Sequence, residues 1–260
     1  MGMVKRAGVG AALAMVVMAG CESGLPTKTR DGRAFVQPKK TMVLVHGAWG
    51  GAWAFREVDR ELTNDGWKVY RPTLTGQGER VHLASKDVGL STHIEDVVNE
   101  ILYEDLHDVV LVGHSYGGMV ITGVADKIPD RIKQVIYVDA CLPNDGESLE
   151  DVIPKVPGPP AKDGWIAPSW LKAGAPIPHD VPMSEKSFTE KIHLTGAGAK
   201  VPAAFILTVE KGKAMEADDF YRSYARAKAR GWPTMVMEGD HNVQWSEPRV
   251  LVKNLEKMAR

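Results

Sequence analysis

An α/β fold, a mostly parallel sheet flanked by helices with a cap insertion, is predicted by three observations. Short runs of Val, Leu and Ile alternate along the chain with segments whose apolar residues recur at helical spacing. Strands joined through helices need parallel crossovers, and strands that are apolar throughout are covered on both faces. The alternation stops once, over a segment rich in Pro, Gly and Trp, and then resumes. With 260 residues and 44% hydrophobic content the chain can bury a sizeable core, so one globular domain over residues 41–260 is expected.

The elements follow in order. Met42-Val43-Leu44-Val45 reads as a buried strand ending at His46-Gly47. Residues 53–63 have helical periodicity, and Asp65-Gly66 stops them. Residues 68–71 form a second strand, closed by Pro72 and the loop through Gly78. Ser91 and Thr92 are good helix starters, with Ile94, Val97, Val98, Ile101 and Leu102 on one face. Residues 109–112 are a third strand, 119–125 a helix and 134–138 a fourth strand. The interruption, about 143–202, is expected to be a cap over the site. Beyond it come a strand at 204–208, a helix at 215–229, a strand at 234–237 and a last helix opened by Ser246-Glu247-Pro248.

The amino-terminal residues are of another kind. Lys5 and Arg6 precede an apolar run from Ala7 to Ala19, followed by Gly20-Cys21. A basic start, a short apolar stretch and small residues make a secretory signal, and the run is too short to span a bilayer comfortably. Met18-Ala19-Gly20-Cys21 resembles the bacterial lipobox, in which the cysteine is acylated, although Met replaces the more usual Leu at its first position. Residues 1–21 are therefore expected to be a signal peptide, Cys21 a lipidation site, and residues 22–40 a polar tether. The expected location is outside the cytoplasm, held to the membrane by the lipid anchor only. A plain cleaved signal, leaving a periplasmic or secreted protein, is the alternative.

Composition narrows the partners. The formal net charge is -1 and no long block of like charges occurs, so nucleic acid is not expected. Two cysteines do not make a disulfide framework. Neither H-E-x-x-H, paired C-x-x-C, a Walker loop nor G-x-G-x-x-G after a strand is present, so no metal and no cofactor are expected.

The chemistry concentrates in Gly113-His114-Ser115-Tyr116-Gly117-Gly118, which follows a strand and opens a helix. That is the context a G-x-S-x-G nucleophile elbow requires. The turn holds Ser115 in a strained backbone conformation and lifts its hydroxyl beside a helix N-terminus, where backbone N–H groups favour an oxyanion. His46-Gly47-Ala48-Trp49-Gly50-Gly51 lies at an earlier strand end, so the N–H groups of Ala48 and Tyr116 are the expected oxyanion donors. A serine nucleophile needs a base. Of eight histidines, His241 follows the last strand and is the expected one. His93 and His107 are expected on helix surfaces, His179 and His193 in the cap, and His114 in a structural role. For the acid, Glu210 just past a strand is preferred over Asp139 at the end of an earlier strand. Asp240 is too close to His241 along the chain to reach its far ring nitrogen. Trp165 and Trp170 are expected to line the cap and to favour an apolar or aromatic substrate group, unless they only pack the insertion.

These segments resemble the plant methylesterase and hydroxynitrile lyase group of α/β-hydrolases and its bacterial relatives. The resemblance runs from about Thr41 to the C-terminus, strongest before Ser148 and loose through the cap. Residues 73–80 and 137–143 look more like the bacterial members. The group's Thr-Glu-Asp-Lys segment, whose Asp is the triad acid, corresponds to Thr208-Val209-Glu210-Lys211, so the resemblance implies Glu210 as acid, with Asp changed to Glu. Lyases of the group carry a threonine after the first histidine and a lysine after the catalytic one; here Gly47 and Asn242 stand there, which implies an esterase. The expectation is a serine esterase acting on a small-molecule ester through an acyl-enzyme. A hydroxynitrile lyase and a non-catalytic ligand-binding member are the alternatives.

Overall fold

A computed structural model describes residues 40–153 and 160–259. The proposed signal peptide, Cys21 and nearly all of the expected tether lie outside the described residues. In chain order the elements are β1 (Thr41–Val45), α1 (Arg56–Asn64), β2 (Lys68–Tyr70), α2 (Leu90–Tyr103), β3 (Val109–Ser115), α3 (Gly117–Lys127) and β4 (Ile132–Ala140). The cap segment contributes α4 (Leu149–Val152), β5 (Trp165–Ile166), β6 (Met183–Ser184) and α5 (Lys186–Thr189). The chain then returns to the sheet with β7 (Ala203–Val209), α6 (Tyr221–Ala229), β8 (Thr234–Glu238), α7 (Val243–Ser246) and α8 (Pro248–Met258).

Six strands form one sheet in the order β2-β1-β3-β4-β7-β8, and every pairing in it is parallel. Successive side chains of a strand point to opposite faces, and both faces here are covered. Val43, Leu111, Tyr137 and Phe205 join the apolar layer beneath α2, α3 and α6. Leu44, Val110, Ile136 and Ile206 join the layer beneath α1 and α8. The near-continuous apolar strands of the sequence are thus explained by a sheet with two buried faces. Each fully buried Val, Leu or Ile contributes about 1.5–3 kcal/mol of transfer free energy.

Several local expectations shift. Gly66, with φ 87°, ends α1 as the Asp-Gly signal predicts. Ser91 and Thr92 fall inside α2, whose cap is Gly89 and makes no side-chain bond. The helix expected over 215–229 is broken: a 3-10 turn at Met215–Ala217 is separated from α6, because Asp218 takes an extended conformation. His93, expected on a helix surface, is buried on the inner face of α2.

Candidate active site

The C-terminal ends of the parallel strands open onto one cavity of about 710 Å³, lined by His46, Ala48, Ser115, Tyr116, Asp139 and His241 among others. Ligands in open α/β sheets bind at this edge, because the loops that leave the strands converge there. Three of its residues are non-glycine residues with left-handed backbone: Trp49 at φ 65°, Ser115 at φ 55° and Asp139 at φ 45°. Such conformations cost on the order of 1–3 kcal/mol each and persist where surrounding packing enforces them.

At Ser115 the packing is visible. A Cβ on Gly117 would lie 2.6 Å from the Val45 carbonyl oxygen, so α3 can start this close to β1 only with glycine there. Ser115 is the last residue of β3, and its carbonyl accepts from Cys141 N at 3.0 Å. Tyr116, beside Ser115, is buried and its hydroxyl is 2.8 Å from His93 Nδ1. His93 Nε2 lies 3.1 Å from the Thr75 carbonyl, which fixes the proton on Nε2 and leaves Nδ1 to accept from the tyrosine.

The preceding loop is held by His46, which is fully buried. Its Nε2 accepts from Leu74 N at 3.1 Å, so Nδ1 carries the proton and donates to the Gly47 carbonyl at 2.8 Å. Burial pushes this imidazole down to about 4, so it is neutral at physiological pH. The loop that carries Ala48 is therefore anchored by an uncharged side chain.

His241 follows β8, and its Nδ1 donates to Asp139 Oδ2 at 2.6 Å. The carboxylate that His241 meets is therefore Asp139 and not the expected Glu210. Glu210 does line the cavity, but its carboxylate pairs with Lys213 at 2.7 Å and its side chain is 54% exposed. Asp139 has no exposed surface, and its other oxygen accepts from Thr208 N at 3.0 Å. The physical reason is a bulge in β4. His114 pairs with Val138 and Ser115 with Ala140, so Asp139 is the extra residue, left out of the ladder and turned toward the site. The neighbouring strand β7 supplies the N–H that holds it there.

Residues outside the expected set complete the surroundings of His241. Phe220 stacks on His241 with ring centroids 4.8 Å apart and 5° between planes. The His114 ring is also close to it, centroids 4.5 Å apart and planes tilted by 36°, and its Nε2 donates to the His241 carbonyl at 2.7 Å. Burial first, and the neighbouring His241 second, hold the His114 imidazole well below the usual histidine range. Asp218 also lines the cavity, and burial together with the Asp139 charge pushes its carboxyl up to about 6. Elbow position marked His114 in the sequence, whereas nothing local marked Phe220 or Asp218.

Of the two cap tryptophans, Trp170 lines the cavity and Trp165 does not. Trp165 pairs with Ser184 in the β5–β6 ribbon, where Ile166 is the inward residue and its carbonyl accepts from Trp49 Nε1 at 3.0 Å. Alternation along the strand turns Trp165 to the other side. Trp170 stands edge-on to Trp49, centroids 5.4 Å apart.

Known proteins resemble this chain in part and in whole. A carbendazim hydrolyzing esterase from Nocardioides sp. is 53% identical over 113 residues, which cover 44% of this chain and 47% of that protein. Methylesterase 2 of Arabidopsis thaliana is 31% identical over 130 residues, 49% of each chain. The chain thus spans about half the length of these curated relatives. An extracellular alpha/beta-hydrolase from a Paenibacillus species, described as sharing homology with Tobacco Salicylic Acid Binding Protein 2, superposes with a TM-score of 0.69. That match covers 85% of this chain and 99% of the other at 24% identity, and it shows the fold. Residues 42–254 match the alpha/beta hydrolase family, and the chain belongs to it.

Proposed function

We propose that the protein is a serine hydrolase that cleaves a small carboxylic ester through an acyl-enzyme. The observation that carries this reading is the 2.6 Å bond from His241 Nδ1 to buried Asp139, on the same cavity that Ser115 lines. With its Nδ1 proton given to Asp139, neutral His241 has Nε2 free to take a proton. The Ser115 hydroxyl adds to the ester carbonyl while His241 Nε2 takes its proton. The N–H groups of Ala48 and Tyr116 receive the oxyanion. Collapse expels the alcohol, which takes the proton back from His241, and water then repeats the sequence on the acyl-serine. Asp139 holds the ring in place and stabilises the imidazolium, and Glu210 has no part in it.

The cavity volume is that of a pocket for a small organic molecule, and the rings of Trp49, Trp170, Phe188 and Phe220 on its walls favour an aromatic or alkyl acyl group. Similarity to a carbendazim hydrolyzing esterase and to a plant methylesterase supports methyl esters as the first substrates to test. Hydrolysis of p-nitrophenyl and aryl methyl esters, together with fluorophosphonate labelling at Ser115, is the expected result. A pure protein that turns over none of them and takes no label would overturn the reading. We propose in addition, from the sequence of residues 1–21, that the protein is exported and anchored through Cys21.

A further inference from the structure

The cavity wall also holds a carboxylate that the hydrolytic chemistry does not use, Asp180. Asp180 belongs to the cap segment before β6, and that segment is tied to the oxyanion loop: Val181 N donates to the Trp49 carbonyl at 2.9 Å. Asp180 Oδ2 accepts from Trp170 Nε1 at 2.6 Å. Oδ1 accepts a hydrogen bond from no described residue. It faces the loop that carries Ala48, since a Cβ on Gly50 would lie 3.9 Å from it. Aromatic rings adjoin the position through Trp170. Trp170 meets Trp49 at 88°, and Phe188 lies 5.6 Å from Trp49 on the same wall.

We propose that Asp180 is a specificity determinant that selects flat, aromatic esters bearing an N–H donor beside the ester group. This rests on the esterase reading of the site. An acceptor set in an apolar wall with one oxygen unspent loses hydration when a ligand covers it, and only a donor on that ligand restores the lost bond. A ligand with oxygen or carbon at that place leaves the carboxylate unpaired, so the site discriminates by rejection as well as by attraction. Partial burial pushes the Asp180 carboxyl above its ordinary range, while the Trp170 N–H and the His179 charge act the other way. The aromatic walls suit a planar ring, and the Trp170 N–H fixes the direction in which the free oxygen points. The plain alternative is that Asp180 only holds Trp170 in place.

Calorimetric titration of the Ser115→Ala protein with methyl indole-2-carboxylate and methyl benzofuran-2-carboxylate separates the two readings. These esters differ by N–H against O. The indole ester should bind about tenfold tighter or more. Adding Asp180→Ala should bring the ratio of the two dissociation constants close to one. Asp180→Leu, which keeps the volume and removes the acceptor, serves if the alanine variant does not fold. Trp170→Phe keeps the ring and removes the N–H that orients the carboxylate, and it should reduce the ratio without abolishing it. Equal affinities in the Ser115→Ala protein, or a preference that survives loss of Asp180, would overturn the proposal. Binding is read without turnover, so failure of the esterase reading, seen as no turnover of p-nitrophenyl or aryl methyl esters and no fluorophosphonate label, is distinct from failure of this proposal, seen in the binding ratio.

Discussion

His114 donates from Nε2 to the backbone carbonyl of His241 at 2.7 Å, so the residue before Ser115 holds the loop that carries His241. Replacing His114 with Phe keeps a ring in the buried site and leaves that carbonyl without its donor. Under the proposed mechanism kcat should fall by about tenfold or more, since small misplacements of a catalytic group are costly. KM should change little, because His114 acts through His241. Steady-state kinetics on a methyl ester, beside a circular dichroism spectrum of the variant, provide the check. An unchanged kcat would remove His114 from the positioning role.

The acid is tested by a pair of variants. Asp139→Asn should lower kcat by on the order of 10³ or more, because the amide cannot hold the same tautomer or stabilise the imidazolium. Glu210→Gln should leave kcat near the wild-type value, since that carboxylate is exposed and paired with Lys213. The reverse outcome would return the acid to the end of β7.

Ser115→Ala should hydrolyse no ester and take no fluorophosphonate label, with its thermal unfolding close to wild type. Removing one hydroxyl leaves little empty volume at the turn, and alanine relieves none of the packing that enforces φ 55°. Wild-type turnover in a preparation free of contaminating esterases would refute the nucleophile.

Asp218 makes the pH dependence specific. Its carboxyl is raised from an ordinary 3.8 to about 6, first by burial and then by Asp139. The proton is therefore held more tightly in the folded chain than in the unfolded one. Its contribution to stability is fully present below pH 4 and is lost as pH rises through about 6. Asp218→Asn should accordingly raise the melting temperature at pH 7.5 relative to wild type, and do so much less at pH 4. Under the proposed mechanism catalysis should show the opposite preference: the charge of ionised Asp218 attracts the imidazolium formed in the transition state, so the wild-type rate should gain a step near pH 6 that the variant lacks. Parallel melting curves and rate profiles check both, and identical profiles for the two proteins would refute the coupling.

Anchoring through Cys21 predicts that full-length protein made in a Gram-negative host sediments with membranes, whereas Cys21→Ala stays in the soluble periplasm. A lipobox cysteine carrying several acyl chains would hold firmly, because each buried CH₂ contributes about 0.8 kcal/mol. Equal recovery of both forms in the soluble periplasm would leave only a cleaved signal.

Local chemistry made the sheet strands, and the places of Ser115 and His241 just at or after strand ends, legible in the sequence. A Val-rich strand running into Gly-x-Ser-x-Gly specifies its own turn, since the glycines and the helix start act within a few residues of the nucleophile. His241 lies in a short turn after the last strand, again a local feature. The carboxylate partner of His241 could not be placed in that way. Asp139 and Glu210 both end strands, and the choice depends on the bulge in β4 and on the Thr208 N–H of the adjacent β7. Both features exist only once the strands are paired. Phe220 stacked on His241 and Asp180 beside Trp170 also arise from chain segments brought together by the fold. Period and motif travel along the chain, whereas strand register and the aim of a carboxylate are set across it, and only the tertiary structure decides them.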